Sequence, residues 1–264
     1  MAKRAVSSEF PKRKPLPKKL WIISAIVLVV LSIGIWYWSE INKNKWMHVP
    51  KVGIRLPLRY DVHGIDVSHH NDNINWQKLR QMRFEDLRLQ FVYIKATEGM
   101  SIADEDFQGN WQKADEVGLY RGAYHFYIPW KDPKIQAQRF INAVRLQKGD
   151  LPPVLDFEKG TSAYSKEQVI ENLRIWLQMV ENQYGVKPII YTNGDFYKRY
   201  IKGNLDEYPL WIAEYSSWEL DRYSDAKVLF WQHSKAGFVD GINGEVDYNV
   251  FLGTADDLKS LCVK

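Results

Sequence analysis

Short β-rich runs that alternate with segments of helical periodicity dominate the chain from residue 63 onward. Eight such runs lie at 64–69, 91–96, 121–127, 153–158, 188–192, 210–215, 228–233 and 245–251. Strands that alternate with helices favour a parallel sheet, and eight of them predict a closed barrel of the (β/α)8 type. The stretches 215–227 and 235–244 are too short or too irregular for full helices. The prediction is therefore an α/β fold, a modified (β/α)8-type barrel without some late helices, over residues 63–264.

An open doubly wound sheet is the alternative arrangement of the same elements. Nucleotide-binding sheets of that kind carry a Gly-rich loop after a strand, and none of the runs is followed by one. The sequence therefore offers no support for nucleotide binding.

Capping residues mark the helices between the runs. Asp132 followed by Pro133 is an N-cap and first-turn pair. Ser165 and Gln168 have the spacing of a capping box, and Gly185 supplies a stop about 20 residues later. These signals predict two amphipathic helices, one after the third run and one after the fourth.

An apolar segment precedes the predicted barrel. Residues 20–38 are 19 residues without a charge, with tryptophans near both ends. At about 1.5 Å per residue this length nearly spans a hydrocarbon core of about 30 Å. Residues 1–19 carry seven basic side chains and one acidic one. Positive residues prefer the cytoplasmic side, so we predict a cytoplasmic tail (1–19), a transmembrane signal anchor (20–38) and a linker (39–62) before the barrel domain.

The predicted anchor has consequences for location and partners. The barrel domain would lie on the periplasmic or extracellular side of the inner membrane, held by a single pass. A cleaved signal peptide is the alternative, with Ser32 and Gly34 as a weak cleavage site. The net charge of +4 includes +6 from the tail, which leaves −2 for the rest, so the barrel is not expected to bind nucleic acid.

Acidic residues occupy strand positions where a barrel core is expected. In the run 153–158, side chains alternate between faces, so Asp156 and Glu158 share one face with Val154, while Leu155 and Phe157 share the other. The apolar pair suits the helix layer, and the acids then point toward the barrel axis. They lie near the C-terminal end of the strand, where barrel active sites lie.

The first and last runs repeat this pattern. Asp66 and Ser68 face inward on the first run, and Asp247 and Asn249 on the last. Strands one and eight of a closed barrel are neighbours, so Asp66 and Asp247 should meet. Burial and like charge both raise the pKa of a carboxyl group. Such a cluster is typical of glycoside cleavage, which uses one carboxylic acid to protonate the leaving oxygen and a second carboxylate at the anomeric centre.

The sequence resembles the glycoside hydrolase family 25 lysozymes. The resemblance rests on the blocks GIDVSHH, FVYIKATEG, GLYRGAYHFY, PPVLDFE, IIYTN, PLWIAEY, LFWQHS and VDYNVF, in order, over residues 64–253. It implies a modified β/α barrel that hydrolyses the β-1,4 bond between N-acetylmuramic acid and N-acetylglucosamine in peptidoglycan. The implied partners are peptidoglycan glycan strands and, through the anchor, the membrane.

The resemblance also implies roles for particular residues. Glu158 would be the general acid, and Asp156 would act at the anomeric centre or orient the N-acetyl group of the substrate. Asp66 and Asp247 match the family's acids of the first and last strands. The sugar groove would be lined by Tyr124, Phe126, Tyr191, Trp211 and Trp231.

Other residues near the predicted mouth have less definite roles. Glu98 ends a strand there; it could contact sugar, but we favour an ion pair with Lys95 or Arg121. His69 and His70 are adjacent on a strand end and should point to opposite faces. They lack the spacing of a zinc site, so neither a metal nor a cofactor is expected.

Two alternatives to a lysozyme stay open. A non-catalytic module on the same barrel could bind glycan without cutting it, and an enzyme of the same chemistry could cut another β-linked polysaccharide. The intact set of acids favours an enzyme over a binding module, because a binder has no need of Glu158.

Overall fold

The computed structural model describes residues 18–43, 46–84 and 87–264 and divides the chain into two compact units, Met1–Lys45 and Trp46–Lys264. Helix α1 (Lys18–Lys43) is the element described in the first unit. Within it, Trp21–Ser39 is long and apolar enough to cross a membrane, judged by length and composition alone. A signal sequence near an N-terminus has the same properties.

The second unit contains the strands and the remaining helices. The strands are β1 (Trp46–Val49), β2 (Ile54–Pro57), β3 (Val62–Val67), β4 (Leu89–Glu98), β5 (Ile102–Ala103), β6 (Tyr120–Phe126), β7 (Val154–Asp156), β8 (Ile189–Asn193), β9 (Leu210–Ala213), β10 (Val228–Gly237) and β11 (Val246–Phe251). The helices are α2 (Trp76–Gln81), α3 (Phe107–Glu116), α4 (Pro133–Ala143), α5 (Lys166–Tyr184), α6 (Gly194–Phe196) and α7 (Ala255–Leu261). Short 3-10 turns lie at His69–Asn71 and Asp221–Tyr223, and a π-helical turn lies at Tyr197–Ile201.

Among the described residues, eight strands close into a barrel in the order β3-β11-β10-β9-β8-β7-β6-β4, with β4 pairing back to β3. This closure excludes the open doubly wound sheet. Between β9 and β10 there is only a 3-10 turn, as expected for a barrel without some late helices. One part of the prediction is wrong, because β11 runs antiparallel to both of its neighbours. The connection 238–245 is too short for the crossover that a parallel strand requires.

The predicted N-cap residues are confirmed, whereas the return hydrogen bond of the predicted capping box, from the Ser165 N–H to the Gln168 side chain, is not formed among the described residues. The Asp132 side chain accepts hydrogen bonds from the first turn of α4, and Ser165 accepts one from the backbone N–H of Gln168 at the start of α5. Gly185 ends α5 in the left-handed conformation with φ 69°. Trp176 of α5 is fully buried against the barrel and contributes to the core.

The interior of the barrel has an apolar lower layer. Its main side chains are Val62, Phe91, Tyr93, Val154, Ile189, Trp211, Phe230 and Phe251. A Cβ at Gly122 would lie 2.2 Å from the Tyr93 ring, so only glycine leaves room for this ring. Leu258 of α7 and Cys262 belong to the same cluster, so the C-terminal helix closes the floor of the barrel.

The range 39–62, predicted as a linker, contains regular structure. Helix α1 continues to Lys43, and β1 and β2 form an antiparallel hairpin. The hairpin contacts β10 and its following loop: the backbone N–H of Phe238 donates to Val52 O at 2.9 Å. Val52 and Leu56 are fully buried, and these isolated apolar residues in a polar stretch anchor the hairpin.

Candidate active site

A cavity of about 350 Å³ lies at the mouth of the barrel, at the C-terminal ends of its parallel strands. Its walls are formed by Asp66, Ser68, His70, Lys95, Glu98, Tyr124, Phe126, Val154, Asp156, Glu158, Lys159, Tyr191, Trp211 and Asp247. The cavity therefore brings together all four predicted acids and most of the predicted groove residues. Leu155 and Phe157 lie on the helix side of β7, as the alternation of faces predicted.

Asp66 and Asp247 form a carboxyl pair. They are direct partners in the antiparallel register of β3 and β11, and their side chains hydrogen-bond to each other. Burial and the charge of Asp247 raise the pKa of Asp66 well above its usual value. Burial also raises the pKa of Asp247, to about 6. The pair therefore retains a proton to higher pH than two separate carboxyl groups would.

Two amide side chains fix the orientation of Asp66. Its Oδ2 accepts hydrogen bonds from Asn249 Nδ2 at 2.7 Å and from Gln232 Nε2 at 2.9 Å. The indole N–H of Trp211 donates to Asn249 Oδ1 at 2.9 Å. Since an indole N–H only donates, this contact determines which end of the Asn249 amide faces Asp66. With Oδ2 occupied by two donors, Oδ1 of Asp66 is the atom left to share the proton with Asp247.

Tyrosine hydroxyls orient the second amide. Tyr191 donates to Gln232 Oε1 at 2.8 Å, and the Tyr215 hydroxyl forms a short hydrogen bond to the same oxygen. The Gln232 amide is therefore also held with its nitrogen toward Asp66.

Asp156 is the most deeply buried of the four acids in the cavity. Asp156 is the last residue of β7 and is 7% exposed. Its Oδ1 has no hydrogen-bond partner within the described part of the chain. Burial, followed by the charges of Glu158 and Asp66, raises the pKa of Asp156 well above its usual value. Lys95 partly offsets this rise. A buried oxygen without a partner is costly, so this atom is available to a group of the substrate.

Glu158 lies beyond the end of β7, at the rim of the cavity, and is the most exposed of the four acids. The surrounding protein still raises the pKa of its carboxyl group by desolvation, while Lys159 and Lys95 offset part of that rise. A carboxyl with a raised pKa that is open to solvent can hold a proton and exchange it, as a general acid must.

Lys95 and Glu98 form an ion pair at one side of the cavity, with Nζ 2.7 Å from Oε2. Of the two partners proposed for Glu98, the structure therefore has Lys95. Arg121 instead binds Asp150, with Nε 2.7 Å from Oδ1. Phe126 lies beneath two cations: Lys95 Nζ is 5.0 Å and Lys159 Nζ 4.4 Å from its ring centre. The ring thus holds both lysines near the acids.

Trp231 does not line the cavity, so its predicted place in the sugar groove is wrong. It is fully buried on the outer face of β10, where its ring contacts Trp46 at 5.4 Å. Its neighbours Phe230 and Gln232 point inward instead. The place of Trp231 in the groove was implied by the family resemblance. The run 228–233 has large side chains on both faces and no acid to mark the inner one, so strand alternation offered no check on that placement.

The two adjacent histidines do not point to opposite faces. The strand ends at Val67, and His69 and His70 lie in a 3-10 turn with ring centres 4.0 Å apart. His69 Nδ1 is 2.7 Å from Asp104 Oδ2, and His70 lines the cavity. Within the residues that the structure describes, no group of three or more histidines, cysteines or acids is arranged to hold a metal ion.

Three residues of the site were not predicted from the sequence. Gln232 and Tyr215 reach the acids through hydrogen bonds, and Lys159 lines the cavity. Lys159 could have been found, because it follows Glu158 directly. Gln232 is a neutral side chain among large apolar ones, and no pattern marks it as part of an acidic cluster.

Comparison with known proteins identifies relatives of this chain. The family model for "Glycosyl hydrolases family 25" matches residues 65–242. The chain is 40% identical over 258 residues to "Uncharacterized protein YegX" of Escherichia coli K12, covering 94% of each chain. It is 32% identical over 215 residues to "Lysozyme M1" of Streptomyces globisporus, covering 76% of this chain and 71% of that protein.

A solved structure has the same fold. The family 25 glycosyl hydrolase from Bacillus anthracis superposes with a TM-score of 0.70 at 32% identity, covering 76% of this chain and 94% of that one. Residues 65–242, which the family model matches, include Asp66, Asp156 and Glu158.

Proposed function

This chain belongs to glycosyl hydrolases family 25, and from that premise we propose that it is a lysozyme that hydrolyses peptidoglycan. The bond we assign to it is the β-1,4 bond between N-acetylmuramic acid and N-acetylglucosamine. The observation that supports this most is the convergence of Asp66, Asp156, Glu158 and Asp247 in one cavity. A relative bears the name lysozyme, which agrees with this substrate.

In the proposed reaction, Glu158 is the general acid. It donates its proton to the glycosidic oxygen as the bond to the anomeric carbon breaks, and the leaving sugar departs with a new hydroxyl. Water completes the hydrolysis: its oxygen bonds to the anomeric carbon, and it releases one proton to the solvent. The raised pKa of Glu158 keeps the carboxyl protonated at higher pH than an ordinary glutamate. Its exposed position at the rim allows solvent to return the proton after each turnover.

We propose that Asp156 stabilises the positive charge that develops at the anomeric carbon in the transition state. Its unpartnered Oδ1 can accept a hydrogen bond from the substrate's N-acetyl N–H or lie at the anomeric carbon. In its ionised form, Asp156 supplies a negative charge where the transition state needs one. Asp66 and Asp247, as a pair that shares a proton, hold one wall of the cavity in place beside it.

For the sugar groove we propose Tyr124, Phe126, Tyr191, Trp211 and Glu98, all of which line the cavity. Tyr191 and Trp211 are almost fully buried and use their polar groups within the protein, so they form the floor. Glu98 would act mainly by holding Lys95 in place.

We propose that α1 keeps the enzyme at the inner membrane. In this arrangement residues 1–19 are cytoplasmic, 20–38 span the bilayer, 39–62 lead out of it and 63–264 act on the periplasmic or extracellular side. The length and apolar composition of Trp21–Ser39 support the span, and the basic residues before it support the orientation.

The test is to identify the bond that is cut. The full-length protein in detergent micelles would be incubated with purified peptidoglycan, and the soluble products reduced with borohydride and analysed by mass spectrometry. Fragments that end in reduced N-acetylmuramic acid are expected. Ends of reduced N-acetylglucosamine would contradict the bond assignment. No release of fragments by a folded protein would favour a glycan-binding module.

A further inference from the structure

A second pocket, of about 280 Å³, lies on the outer side of the barrel mouth. One wall is the hairpin β1–β2, through Trp46 and Arg55, and the opposite wall is the loop 214–218 that follows β9. The indole N–H of Trp46 donates to the backbone O of Trp218 at 3.0 Å, which joins the two walls. We call this site the hairpin pocket.

The hairpin pocket is an addition to the family barrel. The hairpin occupies Trp46–Pro57, whereas the family model begins at residue 65. The Escherichia coli relative covers 94% of this chain, and a match of that extent includes the hairpin region. The second wall lies within the family region, so the pocket arises where an added element packs onto the common fold.

The exposed surface of the hairpin pocket has the chemistry of a sugar site. Trp218 is 54% and Tyr215 48% exposed, although both are large rings in an ordered region. Both rings line the same pocket, and exposed apolar surface that is gathered at one place marks a binding site more often than exposed residues that stand alone. The hydroxyl-bearing Ser216 and Ser234 line the same pocket. Flat apolar rings beside hydroxyl groups suit a pyranose, which has apolar C–H faces and a polar rim.

The back wall of the hairpin pocket contains His233, which has unused hydrogen-bonding capacity. It is 6% exposed, and neither ring nitrogen has a hydrogen-bond partner within the described part of the chain. Burial lowers the pKa of His233 to about 3, so the ring is neutral, with one N–H donor and one acceptor nitrogen. Buried polar atoms are normally satisfied, so an unpaired imidazole in a pocket wall points to a bound polar group.

The hairpin pocket is connected to the acidic cavity. Tyr215 lines the pocket with its ring, and its hydroxyl bonds to Gln232 Oε1. Gln232 in turn donates to Asp66 Oδ2 at 2.9 Å. Two hydrogen bonds therefore separate the pocket wall from the acids, and both sites open at the same end of the barrel. A glycan strand that leaves the cavity on this side would meet the pocket next.

We propose that the hairpin pocket is a distal saccharide subsite that binds a further sugar unit of the glycan strand that is being cut. This inference rests on the proposed function, because it assumes that the substrate is a polymeric glycan. Trp218 and Tyr215 stack on the sugar, and Arg55, whose guanidinium lies 5.5 Å from the Trp218 ring centre, binds a carboxylate of the attached peptide stem. The subsite increases affinity for long strands and leaves the chemical step unchanged.

The test compares Trp218→Ala with wild type in the full-length protein in detergent micelles. Trp218→Ala keeps the hydrogen bond from Trp46 Nε1 to the backbone oxygen at position 218, although it removes the edge contact between the two rings at 5.0 Å. On long glycan strands stripped of peptide we expect KM to rise about fivefold to tenfold with kcat unchanged. Ile135→Ala, which removes a 50% exposed apolar side chain from α4, is the matched control and should change neither constant.

Short fragments separate a subsite from a structural role. On a disaccharide-repeat fragment too short to reach the hairpin pocket, Trp218→Ala should match wild type. Equal KM values on long strands, or an equal loss on long and short substrates, would overturn the subsite. Cleavage by wild type at the muramic acid bond would stand in either case, so the two proposals fail separately.

Arg55 gives an independent readout. Arg55→Gln should weaken binding of peptide-bearing strands, measured with the Glu158→Gln protein to prevent cleavage, and should leave binding of stripped strands unchanged. An equal effect on both kinds of strand, or none on either, would contradict the assignment of Arg55 to a stem carboxylate.

Discussion

The interior of the barrel has two layers that are built from the same strands but differ in chemistry. On β3, Val62 lies in the lower layer and Asp66 in the upper one; on β7, Val154 and Asp156 divide in the same way. On β11 the order is reversed, with Asp247 before Phe251, because this strand runs antiparallel. The position of an acid relative to the mouth therefore follows strand direction.

The two layers have opposite effects on the stability of the barrel. The lower layer is apolar, with rings such as Phe230 in edge contact with Phe91 at 5.1 Å, and its burial stabilises the barrel. The upper layer desolvates four carboxyl groups, which raises each pKa and opposes folding when the groups ionise. Substitutions in the upper layer should therefore affect activity, and those in the lower layer stability.

The largest expected effect is a loss of activity from a substitution in the upper layer. Glu158→Gln keeps the size of the side chain but removes the proton donor, so we expect kcat on peptidoglycan to fall ~10³-fold. The unfolding midpoint should stay within a degree or so of wild type, because Glu158 is exposed at the rim. A variant with wild-type kcat would show that another group is the acid.

The lower layer should show the converse. Phe230 is fully buried against Phe91, Tyr93 and Phe251. Phe230→Ala should lower the free energy of unfolding of residues 46–264 by about 3 to 5 kcal/mol, measured by urea titration. Phe230→Leu, which fills part of the space, should cost less. If the alanine variant kept its stability but lost activity per folded molecule, the separation of the two layers would be wrong.

The carboxyl pair should link stability to pH. A raised pKa means that the folded state binds the proton more tightly, so this contribution is complete below about pH 4 and is lost as pH rises toward 6, the pKa of Asp247. Asp66→Asn, which resembles the protonated form, should gain stability relative to wild type across this range, by about 1 to 2 kcal/mol after allowance for partial solvent screening.

A control of opposite sign accompanies this measurement. The pKa of Asp257, which caps α7, is lowered by its hydrogen bonds to Thr254. Asp257→Asn should therefore lose stability relative to wild type as pH rises from acid values. A pH-independent difference between Asp66→Asn and wild type would mean that the carboxyl pair does not retain a proton.

The smallest effect concerns the lysine beside the acid. Lys159 offsets part of the rise in the pKa of Glu158. Lys159→Gln should move the alkaline limb of the pH–kcat profile up by a few tenths of a pH unit, because activity is lost as Glu158 loses its proton. A shift toward lower pH would show that the limb belongs to a different group.

Much of the acidic layer could be predicted from sequence because strand alternation has a strict period of two. Asp66, Asp156 and Asp247 each sit among apolar neighbours that reveal which face is inward. The direction of β11 and the side of Trp231 could not be predicted in this way. The alternation of apolar and polar residues does not indicate whether a strand is parallel or antiparallel to its neighbours. Where both faces carry large side chains, it also does not indicate which face points inward.

The hairpin β1–β2 shows a different limit of prediction from sequence. Residues 46–57 are short, partly charged and lack a strong alternating pattern, so nothing local favours a strand. Their structure comes from contacts with distant residues, such as Trp46 with Trp218 and Val52 with Phe238. Pairing that depends on tertiary packing is not encoded in local periodicity.

The place of β11 determines when this protein becomes active during its synthesis. β11 pairs with both β3 and β10, so the nascent barrel has two open edges until residues 246–251 arrive. The same strand delivers Asp247 to the mouth, and α7 follows it to close the floor. The mouth of the barrel is thus incomplete until residues 246–261 have left the ribosome, and the cavity with its four acids can form only after that point.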